Sequence, residues 1–177
     1  MKSQFDVGLG LLDMKISRMF FDGAILERGY WVYAILIYHK SDKMCLYIGR
    51  TGDEAKKNAA AASPFQRIGE HLNYRPSAKP NTVKKCLGSN KFPEYQIRLI
   101  AVGPLFPKQK DSDSHVRYRD KMKALEKSVA DHFISKGYYV PGKHYDSNAK
   151  DSELAKKVIK ALEPEIKKEE RRFKIRC

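Results

Sequence analysis

The chain has 177 residues, 42% of them apolar and 11% aromatic, enough to bury a single core without disulfides. Its three cysteines, Cys45, Cys86 and Cys177, are odd in number and widely spaced with no CxxC pair. That argues against a disulfide framework and a structural zinc site, and it fits a reducing compartment. Lys plus Arg total 35 against 21 Asp plus Glu, and the net +14 points to a polyanionic partner, most often nucleic acid. The excess is uneven: residues 65–123 hold 13 Lys and Arg against 5 Asp and Glu, so +8 of the +14 lies there. From Lys150 onward there are 10 positive and 6 negative residues, the mixed pattern of a solvated helix. The longest apolar run, residues 31–38, is far short of the about 20 residues that span a bilayer. Asp6 interrupts the apolar stretch FDVGLGLL near the N-terminus, which makes a poor signal peptide. A soluble, cytoplasmic protein with no membrane partner is expected.

In chain order, residues 10–28 place Leu11, Leu12, Met14, Ile16, Met19 and Phe20 in a pattern suited to a short helix. Residues 31–38, WVYAILIY, are β-branched and aromatic, and Met44 to Ile48 form a second apolar run stopped by Gly49. The five polar residues between them, 39–43, predict an antiparallel hairpin. Residues 53–63 are rich in alanine and lysine, lack bulky apolar side chains, and suit an exposed insertion. Ser63 before Pro64 is an N-cap signal for the helix PFQRIGEHL, which would bury Phe65, Ile68 and Leu72. A basic loop follows over residues 74–91. Residues 95–102 alternate as a third strand, ended by Gly103-Pro104, and FPKQKDSDS is then a loop.

The strongest helix runs from about Ser114 to Lys136, with the stripe Tyr118, Met122, Leu125, Val129 and Phe133 and Gly137 at its C-terminal end. Residues 151–162 form another helix, which Pro164 either kinks or replaces with a new one reaching about Phe173. The expected fold is a small α/β domain, a three-stranded and largely antiparallel sheet flanked by helices, over residues 1–150. Residues 151–177 form a charged helical extension of the same domain.

Tyr33 and Tyr47 lie on neighbouring strands, where two hydroxyls can share one face. Gly49 ends its strand where another backbone, or a phosphate, must come close. Arg67 and His71 are four apart on a helix, so a guanidinium suited to phosphate oxygens and an imidazole that moves protons near neutral pH project together. Glu126 borders the apolar stripe of the long helix, where a carboxylate is costly unless paired. It either pairs with Lys123 or Lys127, or it binds Mg²⁺ or Mn²⁺, hard cations that accept a single carboxylate. Phenol, guanidinium, imidazole and carboxylate on a basic domain are the groups that metal-assisted phosphodiester hydrolysis requires.

The order and spacing of these residues resemble the GIY-YIG nuclease family. Tyr47-Ile48-Gly49 matches its second strand motif outright, and Trp31-Val32-Tyr33 stands where Gly-Ile-Tyr would be, so only Tyr33 carries over from the first. Arg67-Ile-Gly-Glu-His71 has the family's four-residue spacing, Glu126 stands where its metal-binding Glu occurs, and Asn148 matches a frequent later Asn. The resemblance spans about residues 29–150. It implies single-metal cleavage of DNA in which Tyr33 or His71 helps deprotonate water and Tyr47 joins their network. Arg67 would clamp the phosphate, and Glu126 would hold Mg²⁺ or Mn²⁺ against the leaving oxygen.

A self-contained chain of this kind looks restriction-type or phage-type, acting on double-stranded DNA, with a homodimer left open. Arg50, Arg75, Lys79, Lys84, Lys85, Arg117 and Arg119 are the candidate DNA contacts; Arg50 is equally suited to being a solvated neighbour of the site. The competing expectations are a non-catalytic nucleic-acid-binding module of the same fold and a ribonuclease of the same chemistry.

Overall fold

The computed structural model describes residues 19–39, 44–52, 61–73, 75, 77, 81–88, 95–109, 111–145 and 147–174. Two long apolar segments pair to make the centre of the molecule. Strand β1 (Gly29–His39) lies between β2 (Cys45–Arg50) and β3 (Tyr95–Pro107), both antiparallel to it, in the order β2-β1-β3. The hairpin expected from the 39–43 spacer is therefore present, and the sheet is wholly antiparallel.

β1 is buried on both faces from Gly29 to Ile37, which explains why its sequence is continuously apolar rather than alternating. Alternation divides its side chains between two cores. Val32, Ala34 and Leu36 join Leu46 and Ile48 on one side, against the long helix α3 (Ser112–Ser135) and α4 (Ser152–Lys174). Tyr33, Ile35 and Ile37 join Cys45 on the other, against α1 (Pro64–His71) and α2 (Thr82–Cys86).

Helix termini follow local chemistry. The Ser63 side chain accepts from Gln66 N at 3.1 Å and opens α1 with Pro64 in its first turn. Asp111 caps α3 in the same way through Ser114 N at 2.7 Å, and its carboxyl is held below its ordinary range chiefly by that backbone hydrogen bond. α3 stops where Gly137 adopts φ +85°, the left-handed conformation that an L side chain resists. The apolar stripe of α3 is as expected, with Met122, Leu125, Val129 and Phe133 buried.

Several expectations change. β3 does not end at Gly103-Pro104 but continues to Pro107. Its register on β1 shifts between Tyr30 and Val32, so residues 103–105 bulge opposite Trp31, and an edge strand accommodates a proline there. Within the expected basic loop, Asn81 caps the short helix α2 by accepting from Lys84 N at 2.9 Å.

On α1, Phe65 is exposed and packs on Phe21 with ring centroids 5.1 Å apart. The buried residues of that helix are Pro64 and His71, with Ile68 and Leu72 half-buried. α4 runs unbroken through Pro164, and it is not simply a solvated helix. Ala155, Val158, Leu162, Ile166 and Phe173 are buried, and the Phe173 ring stacks on Tyr38 at 3.4 Å between centroids. Of the helix suggested over residues 10–28, residues 10–18 lie outside the described residues, and residues 19–28 form no α-helix but only the 3₁₀ turn Gly23–Leu26. Most of the 53–63 insertion is likewise outside them. Among the described residues, no helix is long and apolar enough to cross a membrane.

Candidate active site

The candidate residues gather at the end of the edge strand β2. Tyr33 on β1 stands directly opposite Gly49 on β2. A Cβ at position 49 would lie 2.7 Å from Cε2, Cζ and Oη of Tyr33, so the close approach that Gly49 permits is that of the phenol ring. A phosphate is not needed to explain the glycine. The Tyr33 ring, 1% exposed, passes over the Gly49 backbone and reaches α1, where its Oη stands 2.9 Å from His71 Nε2. The phenol donates in that bond when Nε2 carries the imidazole lone pair.

Tyr47, half-buried, completes the group: its ring centroid lies 5.0 Å from that of His71 and 6.3 Å from that of Tyr33. His71 is 7% exposed and ends α1. Its carbonyl accepts from Asn81 Nδ2 at 3.1 Å, which fixes the end of α1 against the start of α2. Beside this cluster the free thiols Cys45 and Cys86 meet across β2 and α2. Their mutual hydrogen bond pushes the Cys45 thiol up, with burial adding to it, and holds the Cys86 thiol down.

Arg67, one turn before His71, has a side chain 24% exposed and forms an ion pair with Glu70 on its own helix. Partly exposed and held by a carboxylate, it is a guanidinium that can exchange that carboxylate for a phosphate.

Glu126 is reached from the opposite side of β2. Arg50 follows Gly49 and pairs with Val32, so its side chain faces α3. Its Nε donates to Glu126 Oε2 at 2.9 Å, with the two side chains 9% and 18% exposed. Arg50 is thus buried and ion-paired rather than a solvated neighbour of the site. The ion-pair partner expected for Glu126 also changes, because Lys123 lies 3.7 Å from Asp120 and Lys127 lies 2.7 Å from Asp131.

On its other oxygen, Oε1, Glu126 faces His144 Nδ1 at 3.6 Å. His144 went unmarked in the sequence, where it is an isolated imidazole in the loop GKHYDSNAK; only its folded position against Glu126 singles it out. Asn148, the residue of that loop picked out by the resemblance, is exposed.

Glu126 is the residue here that could hold a metal. Among the described residues no three of His, Cys, Asp or Glu converge. A cation would therefore take one carboxylate and at most one imidazole, with water and phosphate oxygens completing its shell, a coordination that divalent cations at phosphate sites accept.

Of the candidate DNA contacts, Arg75, Lys85 and Arg117 are exposed and Lys84 is half-buried at the end of α2. Arg119 is half-buried and bonded to Asp120 at 3.1 Å, and Lys79 lies outside the described residues. Lys85 and Lys143 line a cleft with Thr82, Cys86, Tyr139, Pro141 and Gly142, next to His144. Comparison with family models, with curated proteins and with solved structures returns no match.

Proposed function

We propose that this chain is a metal-dependent endonuclease of GIY-YIG type that hydrolyses phosphodiester bonds in double-stranded DNA, with Mg²⁺ or Mn²⁺ as its cation. The observation that carries the proposal is the hydrogen bond between Tyr33 Oη and His71 Nε2, joining residues 38 positions apart under the Tyr47 ring. A buried phenol bonded to an imidazole is an economical way to orient a base, since burial of the partner fixes the ring.

Tyr33 is too enclosed to meet substrate, so it positions His71. In the tautomer whose Nε2–H donates to the Tyr33 oxygen, His71 takes the proton of the attacking water on Nδ1, and Tyr47, the more accessible phenol, hydrogen-bonds that water or the phosphate. Arg67 releases Glu70 and binds the non-bridging phosphate oxygens. A cation held by Glu126 would neutralise charge on the leaving oxygen. The +14 net charge and the cleft between Lys85 and Lys143 supply the electrostatic approach for DNA.

One observation favours a second reading: Arg50 already neutralises Glu126, which suits a binding module without catalysis. The test is incubation of purified protein with plasmid DNA and with RNA, with and without Mg²⁺ or Mn²⁺, alongside Glu126→Gln. That substitution keeps an acceptor for Arg50. Cation-dependent DNA cleavage lost in Glu126→Gln, with DNA affinity retained, supports the nuclease. Salt-sensitive DNA binding with no product under any cation supports the binding module.

A further inference from the structure

We infer that His144 is a second protein ligand to the cation on Glu126, and that its nitrogen makes this site favour a transition metal such as Mn²⁺ over Mg²⁺. The inference rests on the nuclease reading for the existence of the metal, and adds the ligand and the metal class.

The His144 side chain is 7% exposed, and neither ring nitrogen has a hydrogen-bond partner among the described residues. A buried imidazole left in that state is costly, and a protein retains such a group where something else completes it. What Nδ1 faces is Glu126 Oε1, at 3.6 Å. That separation is too long for a hydrogen bond, whose donor and acceptor lie within about 3.2 Å. Two ligand atoms each about 2.1 Å from one cation stand about 3–4 Å apart, which matches the observed spacing.

The other carboxylate oxygen, Oε2, is taken by Arg50, so the carboxylate is oriented with Oε1 toward the imidazole. Tyr139, through its backbone bridge to β2, fixes the start of the loop: Leu46 N donates to Tyr139 O at 3.0 Å. From there the chain passes Pro141 and Gly142, which line the Lys85–Lys143 cleft, to His144. The imidazole therefore lies beside the carboxylate on the loop whose preceding residues line the cleft. Imidazole is a borderline ligand that Mg²⁺ seldom takes and that first-row transition ions accept readily.

Mn²⁺ binding to the full chain, followed by calorimetry and by the loss of the free-ion electron paramagnetic resonance signal, tests this. Wild type, Glu126→Gln, His144→Ala and His144→Gln are compared, with far-UV circular dichroism as the folding control. The expected result is one Mn²⁺ per chain in wild type, none in Glu126→Gln, and affinity weakened at least about tenfold in both His144 variants. The Mn²⁺-over-Mg²⁺ preference, measured by competition, falls with it. Wild-type Mn²⁺ affinity in a folded His144 variant, with loss in Glu126→Gln, overturns the ligand role and leaves Glu126 as the metal residue. No Mn²⁺ on the wild-type chain at millimolar concentration overturns the metal assignment itself, and the inference with it.

Discussion

Gly49→Ala places a methyl group where the structure has none to spare. Its Cβ would stand 2.7 Å from three atoms of the Tyr33 side chain. That ring is 1% exposed, tied to His71 at 2.9 Å and flanked by Tyr47, so it has no open direction in which to retreat. Overpacking of a tight core costs about 1–3 kcal/mol, and displacing Tyr33 from His71 forfeits about 1 kcal/mol more. Replacing a strand glycine returns about 0.5–1 kcal/mol of chain entropy. The net cost is about 1–3 kcal/mol, a fall in melting temperature of about 3–10 °C for a domain of this size.

Thermal unfolding of Gly49→Ala alone and in a Tyr33→Leu background measures it. With the ring removed, the same alanine should cost under about 0.5 kcal/mol, giving a large coupling between the two sites. An alanine tolerated in the wild-type background, or one equally costly in both, would refute the assignment of Gly49 to the phenol.

Leu162→Ala on α4 removes a side chain with 0% exposure and should destabilise by about 2–5 kcal/mol, read from denaturant midpoints. A solvated extension would lose under about 0.5 kcal/mol. Thr51 Oγ1 accepts from Trp31 N at 2.8 Å and donates to Gly29 O at 2.5 Å, both buried. Thr51→Val should therefore cost about 1–3 kcal/mol, with Thr51→Ser recovering most of it. Tyr30 is buried against His115 and Tyr118, and burial above all pushes its phenol from 10.0 up to about 12. The folded state then holds that proton where the unfolded state has lost it, so the stabilisation is complete below pH 10 and drains away as pH rises toward 12. Denaturation midpoints across that range should fall less steeply for Tyr30→Phe; an identical slope would contradict the origin given.

The parts of the fold written in consecutive apolar residues were legible: the hairpin, the third strand, and the stripe of α3. What the sequence hid depends on neighbours distant in the chain. Pro164 looked like a helix break, but burial of Leu162 and Ile166 on either side holds α4 through it. Gly103-Pro104 looked like a strand end, but the bulge opposite Trp31 absorbs both residues. α2 is only five residues long and was masked by its lysines, although Asn81 was its cap.

In the candidate site, Tyr33, Tyr47 and His71 meet as their strand and helix positions allowed, whereas the cation on Glu126 could not be chosen by proximity in sequence. Lys123 and Lys127 are adjacent along the helix, but Arg50, 76 residues away, is the one whose strand delivers it to the carboxylate. His144 carried no signal at all, because a single imidazole in a loop becomes notable only once burial and Glu126 surround it.

The most direct measurement is the rate of plasmid linearisation by wild type and Glu126→Gln, in Mg²⁺, in Mn²⁺ and with the cation chelated. A cation-dependent wild-type cut, falling at least about a hundredfold in a folded Glu126→Gln that still binds DNA, is the result a metal-dependent nuclease predicts. Cleavage at the wild-type rate in Glu126→Gln, or DNA left intact by the wild-type protein under every cation, would contradict it.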